Sequence, residues 1–354
     1  MDTTKKTGKL SQPGSKRLLA VWIYDILRQY SAKEQPMTQQ MIIEKLQEKY
    51  QFDCRRSTLA SYLHDFESEE FREIFGAQVR CDKRGGGYYL ERNLSDGDLR
   101  LLIDGVMSLR SLSGSQTREL VEKLRQKGSA KFQTRVKGYT GTDIKGLPHS
   151  PNNRTLDNVM TINQAMLSGH QLSFIYNEFA LAENKRVVLK PRREKRYVVN
   201  PYRLTISHSR IYLVGNTASH DNISTYRVDK MTEVLEENTH SKSWLELDKC
   251  YNPPKTLVES LYMFTGEAVA VEFWVTEGAL RDVVDWFGEG YFQVYARKEG
   301  RLHIKTRCNE DAMLYWAMSY GNYVEVIKPQ SLRQRIHDMA VEIATFSTKQ
   351  DNHV

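Results

Sequence analysis

The chain has 354 residues, 40% hydrophobic and 27% charged, enough for two or three domains that each bury a core and too apolar for a disordered polymer. No stretch approaches the roughly 20 apolar residues of a membrane helix, and the first fifteen residues are polar and Lys-rich without a secretory apolar run, so a cytoplasmic protein is expected. The net charge of +7 is unevenly placed: residues 135–215 carry +8 and residues 216–354 carry −6, which directs any polyanion to the middle of the chain and away from its end.

Residues 1–15 read as a flexible tail. Within 16–30, Leu19, Trp22, Ile23, Ile26 and Leu27 fall at helical spacing. After a loop containing Pro36, Thr38 is a natural N-cap for a helix over 39–50, with Ile42, Ile43 and Leu46 facing inward. A third helix starts near Arg55 on the stripe Leu59, Tyr62, Leu63 and Phe66. Short strands follow at 78–81 and 88–91, around a tip made of Asp82-Lys83-Arg84-Gly85-Gly86-Gly87, whose glycines permit positive φ. Three helices and a basic hairpin predict a winged helix-turn-helix over 16–92, with the third helix in a major groove.

Residues 93–153 are expected to form a helical connector and a loop. The helical part, 95–132, places Leu99, Leu102, Ile103, Val106 and Leu109 on one face and then Leu120, Val121 and Leu124; the loop, 137–153, is rich in Gly, Pro and Asn. Over 154–240 a helix from Leu156 stops at Gly169. Strands are predicted at 171–176, 186–190, 197–200, 202–207, 210–215 and 224–229, a pattern of a small β-barrel or strongly bent sheet. Over 241–354 the order is strand 269–275, helix 278–287, a hairpin of 292–297 and 302–307 around Gly300, helix 310–319, strand 323–327 and helix 331–346. That β-α-β-β-α-β order is that of a ferredoxin-like α/β module. The fold class is α+β. The cysteines, at 54, 81, 250 and 308, have no metal-ligand spacing and are expected to be reduced and mostly buried, with no metal and no cofactor.

Four runs in the fourth segment carry a family resemblance. They are Leu172-Ser173-Phe174-Ile175-Tyr176, Val199-Asn200-Pro201-Tyr202-Arg203-Leu204, Ile211-Tyr212-Leu213-Val214-Gly215 and Tyr226-Arg227-Val228-Asp229-Lys230-Met231. In that order they resemble the WYL domain family, whose name comes from a Trp-Tyr-Leu run in an Sm-like β-barrel. Ile211 stands where the family has tryptophan, and Lys230 where it has arginine, keeping the charge but not the planar guanidinium fork. The resemblance implies a transcription regulator with a winged-helix head, a WYL sensor barrel and a C-terminal WCX extension. It also implies a dimer and an effector of nucleic-acid or nucleotide type.

Two candidate sites follow. In the head, Arg55, Arg56, Ser57, Thr58, Ser61, Tyr62 and His64 on the third helix, with Lys83, Arg84 and Tyr88 on the hairpin, are candidates to meet phosphates and base edges of double-stranded DNA. In the barrel, Lys185, Arg186, Lys190, Arg192, Arg193, Lys195 and Arg196 crowd seven cations around the single acid Glu194, as a solvated loop or a phosphate-binding rim. Strand alternation puts Arg227 with Thr225 and Asp229 on the side opposite Tyr226, so Arg227 is expected to leave the core. The candidate effector residues are Tyr176, Arg192, Arg193, Tyr197, His208, Arg210, Tyr212, Arg227 and Lys230, the tyrosines offering rings for a base.

Three functions compete: a ligand-controlled transcription regulator, an adaptor that uses the barrel and C-terminal module for protein contacts, and an enzyme such as a nuclease. No Walker loop, His-Glu-x-x-His, nucleophile elbow or Rossmann glycine run is present, so the protein is expected not to be an enzyme.

Overall fold

The structure, a computed structural model, describes residues 16–82, 86–217, 220, 222–243, 263 and 267–348. By packing the chain divides into two units, Met1–His149 and Ser150–Val354.

In the first unit α1 (Leu19–Tyr30) buries Leu19, Trp22, Ile23, Ile26 and Leu27, the expected set. Thr38 caps α2 (Gln39–Tyr50), its hydroxyl accepting from the Met41 N–H at 3.3 Å. Helix α3 (Arg56–Asp65) seals Leu59 and Leu63. A further helix, α4 (Glu69–Phe75), was not expected; Ser68 caps it and Phe71 anchors it by stacking on Phe66 at 4.3 Å. Strands β1 (Ala77–Asp82) and β2 (Gly87–Arg92) pair antiparallel, Val79 opposite Leu90. Beside them the backbones of Met37 and Tyr88 exchange hydrogen bonds of 2.8 and 2.7 Å. A Cβ on Gly87 would lie 2.8 Å from the Pro36 side chain, so this glycine serves close packing as well as the turn.

Three helices follow. Capping boxes built by Ser95 with Asp98 and Ser113 with Gln116 start α5 (Asp96–Ser108) and α6 (Gly114–Arg125). Ser129 caps α7 (Ala130–Gly146) and also donates to Asp96 at 2.6 Å. The loop expected over 137–153 is corrected in its first half, where α7 runs on to Gly146. Phe132, Val136 and Ile144 recur at whole helical turns and are buried with Leu99, Ile103 and Val121, which outweighs the helix-weakening glycines. Leu102, expected inside, is 43% exposed.

In the second unit α8 (Thr155–Ser168) ends on Gly169 at φ 69°, as anticipated. The strands are β3 (His170–Leu181), β4 (Val187–Pro191), β5 (Tyr197–Ser207), β6 (Arg210–Thr217), β7 (Ser224–Arg227) and β8 (Met231–His240). They run β4-β3-β5-β6-β7, with β8 on β3. The two strands expected around Pro201 are one, because a bulge between Pro201 and Arg203 accommodates the residue that cannot donate. β8 was not expected. Among the described residues no pairing joins β7 to β8, so the sheet curls as a half-barrel. The chain turns directly from one edge into the other through a 3-10 turn, Val228–Lys230, and α8 packs on β3, β5, β8 and that turn with Ile162 and Ala165 buried.

Then come β9 (Ala268–Thr276), α9 (Leu280–Phe287), β10 (Phe292–Lys298), β11 (Arg301–Asn309), α10 (Glu310–Tyr320), β12 (Val324–Lys328) and α11 (Gln330–Thr348). The antiparallel sheet runs β10-β11-β9-β12. One face packs Val271, Phe273, Val275 and Ile304 against the helices, where fully buried Trp316 meets Phe273 and Phe287 edge-on. Cys54 and Cys308 are buried; Cys81 is exposed, contrary to the general expectation, because the outer residues of a two-stranded hairpin face water, and Cys250 lies outside the described residues. Among the described residues no helix is long and apolar enough to cross a membrane.

Candidate functional site

On α3 the buried pair Leu59 and Leu63 turns the remaining positions outward. Arg55, at the N-cap, and Arg56, Ser57, Thr58, Ser61 and His64 are all exposed and form a polar row one helix face wide. Tyr62 does not join it: half-buried, its ring packs 6.3 Å from Phe66. Tyr88 is also drawn inward, its hydroxyl accepting from Gln39 Nε2 at 3.3 Å. Lys83 and Arg84 lie outside the described residues.

The half-barrel gathers most of its candidates around one carboxylate. Asp229 is fully buried on the 3-10 turn that follows β7. Arg227 donates to it twice, from Nε at 3.1 Å and from its terminal nitrogen at 2.7 Å, and Arg210 approaches at 3.6 Å. Tyr226 and Val228 are buried and Arg227 is half-buried, in line with the expected alternation, but Asp229 departs from it: the strand ends at Arg227 and the turn folds Asp229 back beneath it. Burial opposes the Arg227 charge, but the Asp229 carboxylate beside it outweighs burial and raises the guanidinium pKa above its usual value. Asn152 and Asn158 fix the turn, donating to the carbonyls of Asp229 at 3.0 Å and Met231 at 2.9 Å. Lys230 lies alongside; burial and the neighbouring Arg227 push its pKa down. Both cations sit 5.3 Å from the Phe179 ring, whose residue is 37% exposed. Tyr212 is the β6 partner of Arg227, and burial raises its phenol pKa.

Tyr176 joins this group to an aromatic cluster. Its hydroxyl accepts from the Arg227 N–H at 3.2 Å, and its ring lies 5.8 Å from Tyr197 and 5.7 Å from Tyr226. Tyr197 stacks on Phe174 at 5.7 Å, and Arg193 reaches over it at the same distance. Of the basic run, Arg192 pairs with Glu178 at 3.3 Å, while Arg196 is tied down by Ser173 at 3.0 Å and Glu233 at 3.1 Å. His208 is not brought to the cation group. It sits in the β5–β6 turn at φ 48° and stacks on Trp286 of α9 at 4.8 Å, and burial lowers its pKa.

Sequence reasoning named the cations but missed their two organisers. Asp229 was seen as a neighbour in the strand, not as the buried counter-ion. Phe179 was missed because β3 was ended at Tyr176. The run Phe179-Ala180-Leu181, a five-residue connection and Val187-Val188-Leu189 was the available hairpin signal. The site is a half-buried cluster of cations around one buried acid, with aromatic rings beside it, chemistry suited to a phosphate beside a planar ring. Among the described residues no group of His, Cys, Asp or Glu is arranged to hold a metal.

Residues 157–235 match the WYL domain and residues 267–344 match the WCX domain. No curated protein matches the chain. Among solved structures, Proteasome accessory factor B/C (PafBC) of Arthrobacter aurescens is 15% identical with a TM-score of 0.30, covering 94% of this chain, which spans about half (49%) of that one. A CRISPR Cas-related protein is 12% identical with a TM-score of 0.38, covering 97% of this chain and 100% of its own.

Proposed function

We propose, from the premise that this is a WYL-domain protein with a WCX domain behind it, that the chain is a DNA-binding transcription regulator whose half-barrel receives a nucleic-acid or nucleotide effector. The observation that carries the reading is the α3 row: Arg55, Arg56, Ser57, Thr58, Ser61 and His64 face water while Leu59 and Leu63 are sealed beneath. With the β1–β2 hairpin beside it, the first unit reads as a winged helix whose third helix enters the major groove of double-stranded DNA. The C-terminal order β10-β11-β9-β12 with its paired helices supports a ferredoxin-like reading of the WCX domain. A cytoplasmic homodimer that reads paired half-sites, without a cofactor and without catalysis of its own, completes the proposal.

The test is binding to the DNA upstream of the protein's own gene, followed by fluorescence anisotropy at rising salt. Affinity is expected to fall steeply, by roughly a hundredfold or more between 50 and 200 mM salt, and Arg56→Ala weakens it at every salt concentration. DNA binding that ignores both salt and Arg56→Ala overturns the head reading. For the barrel, calorimetry with mononucleotides and short oligonucleotides is expected to give binding that Arg227→Ala abolishes. Unchanged binding removes the effector from this site.

A further inference from the structure

The sheet of the WCX domain has a second face. Alternation along β9 and β11 sends Val271, Phe273, Val275, Leu302 and Ile304 to the helices and leaves Glu272, Trp274, Arg301, His303, Lys305 and Arg307 on the other side. Trp274 and His303 are direct cross-strand partners on the two central strands, with rings stacked at 5.1 Å and 25°. Tyr295 of β10, 58% exposed, continues the row at 6.0 Å from His303. Three neighbouring strands thus bring three rings together on this face, Trp274 and His303 half-buried and Tyr295 exposed.

Cations flank the row. Arg301 lies 6.0 Å from the Trp274 ring and Lys305 5.7 Å from the Tyr295 ring. Acids are outnumbered: Glu272 alone faces Lys328 at 3.3 Å, His303 at 3.6 Å and Lys305 at 3.8 Å. Arg301 and Arg333 converge on Glu325 at 2.9 and 3.7 Å, at a cleft of about 490 Å³ beside β12. The domain's acidity lies elsewhere, with Asp282 and Asp285 on α9, Glu310 and Asp311 on α10, and Asp338 and Glu342 on α11. The acidic balance of residues 216–354, taken from the sequence as excluding a polyanion, hides a locally cationic face.

We propose that this face binds single-stranded nucleic acid, with bases on the Trp274–His303–Tyr295 row and the sugar-phosphate chain along Arg301, Lys305, Arg307 and Lys328. Unpaired bases offer the ring faces such a row requires, whereas a duplex keeps them stacked inside, and a four-stranded sheet with aromatics on its central strands is a recurrent platform for single strands. The site is separate from the half-barrel cluster and does not depend on the effector reading.

Fluorescein-labelled twelve-residue oligouridylate and oligodeoxythymidylate, titrated separately into the full chain, test it. Micromolar or tighter binding of either is expected. Trp274→Ala and the exposed variant Tyr295→Ala each weaken it about tenfold or more. The pair Lys305→Gln with Arg307→Gln flattens its salt dependence, and Arg281→Gln on the helix side leaves it unchanged. Photo-crosslinks from a 5-iodouridine oligomer are expected on peptides carrying Trp274, His303 or Tyr295. Binding of neither strand, binding that Tyr295→Ala and Lys305→Gln with Arg307→Gln leave intact, or crosslinks confined to 170–240 overturns the proposal.

Discussion

Asp229 has no exposed surface, and its two oxygens take separate N–H groups of one guanidinium. Removing its charge strands Arg227 and Arg210 against each other in a partly dry site. Asp229→Asn is expected to destabilise the second unit by about 3 kcal/mol, read as a lower urea midpoint at unchanged slope. In the head, Asp25 accepts from Lys49 at 2.7 Å, Arg28 at 2.9 Å, Gln29 at 2.7 and 2.8 Å, and Tyr50. Burial pushes its pKa up, but these donors, Lys49 first, outweigh burial and hold the carboxyl well below the usual range. A depressed carboxylate contributes stability above its unfolded pKa and loses it as pH falls towards the folded one. That contribution is therefore present at neutral pH and lost progressively below about pH 4. Asp25→Asn should cost about 1–3 kcal/mol at pH 7 and flatten the loss on acidification, which urea midpoints between pH 7 and 2 will show. Neither carboxylate was legible as a hub, because the residues that surround each come from other turns or elements. The apolar anchors Leu59 and Leu63 were legible, because period alone places them.

At the scale of elements, β5 and β6 approach so closely at Pro201 that a Cβ on Gly215 would stand 2.5 Å from the Asn200 carbonyl oxygen. Gly215→Ala must push backbone, not a flexible side chain, and is expected to cost about 1–3 kcal/mol and to lower the thermal midpoint of the half-barrel. Elements whose side chains alternate or recur by helical turns were readable: β9, α9, β11 and α10 fall within a residue or two of expectation. Those held chiefly by backbone pairing or by position were not. β8 fully buries only Met231 and exposes Leu235 as well as Glu233, so it carries no apolar alternation. α4 has seven residues and one buried anchor, too few for a period to show. The aromatic row of the C-terminal sheet escaped notice for a related reason. Trp274, Tyr295 and His303 are well separated in sequence, and only the register of β9, β10 and β11 brings them together.

At the scale of the molecule, residues 150–354 form one packing unit, in which α8 buries Ile162 and Ala165 and the WCX sheet closes a core among residues 269–339. That portion, expressed without residues 1–149, is expected to unfold in a cooperative transition with native near-ultraviolet circular dichroism; a spectrum without fixed aromatic signals would contradict it. Charge follows architecture more than sequence position, since the same third of the chain carries carboxylates on its helices and an excess of cations on the opposite sheet face.

The amides of Asn152 and Asn158 have a mechanical consequence. They clasp the peptide carbonyls of the very turn that seats Asp229, so a pull on the Arg227 fork is passed by short, stiff links to α8 and to the segment just after the seam at residue 150. A ligand received there, as proposed above, would therefore pull on the start of the unit without any strand having to slide.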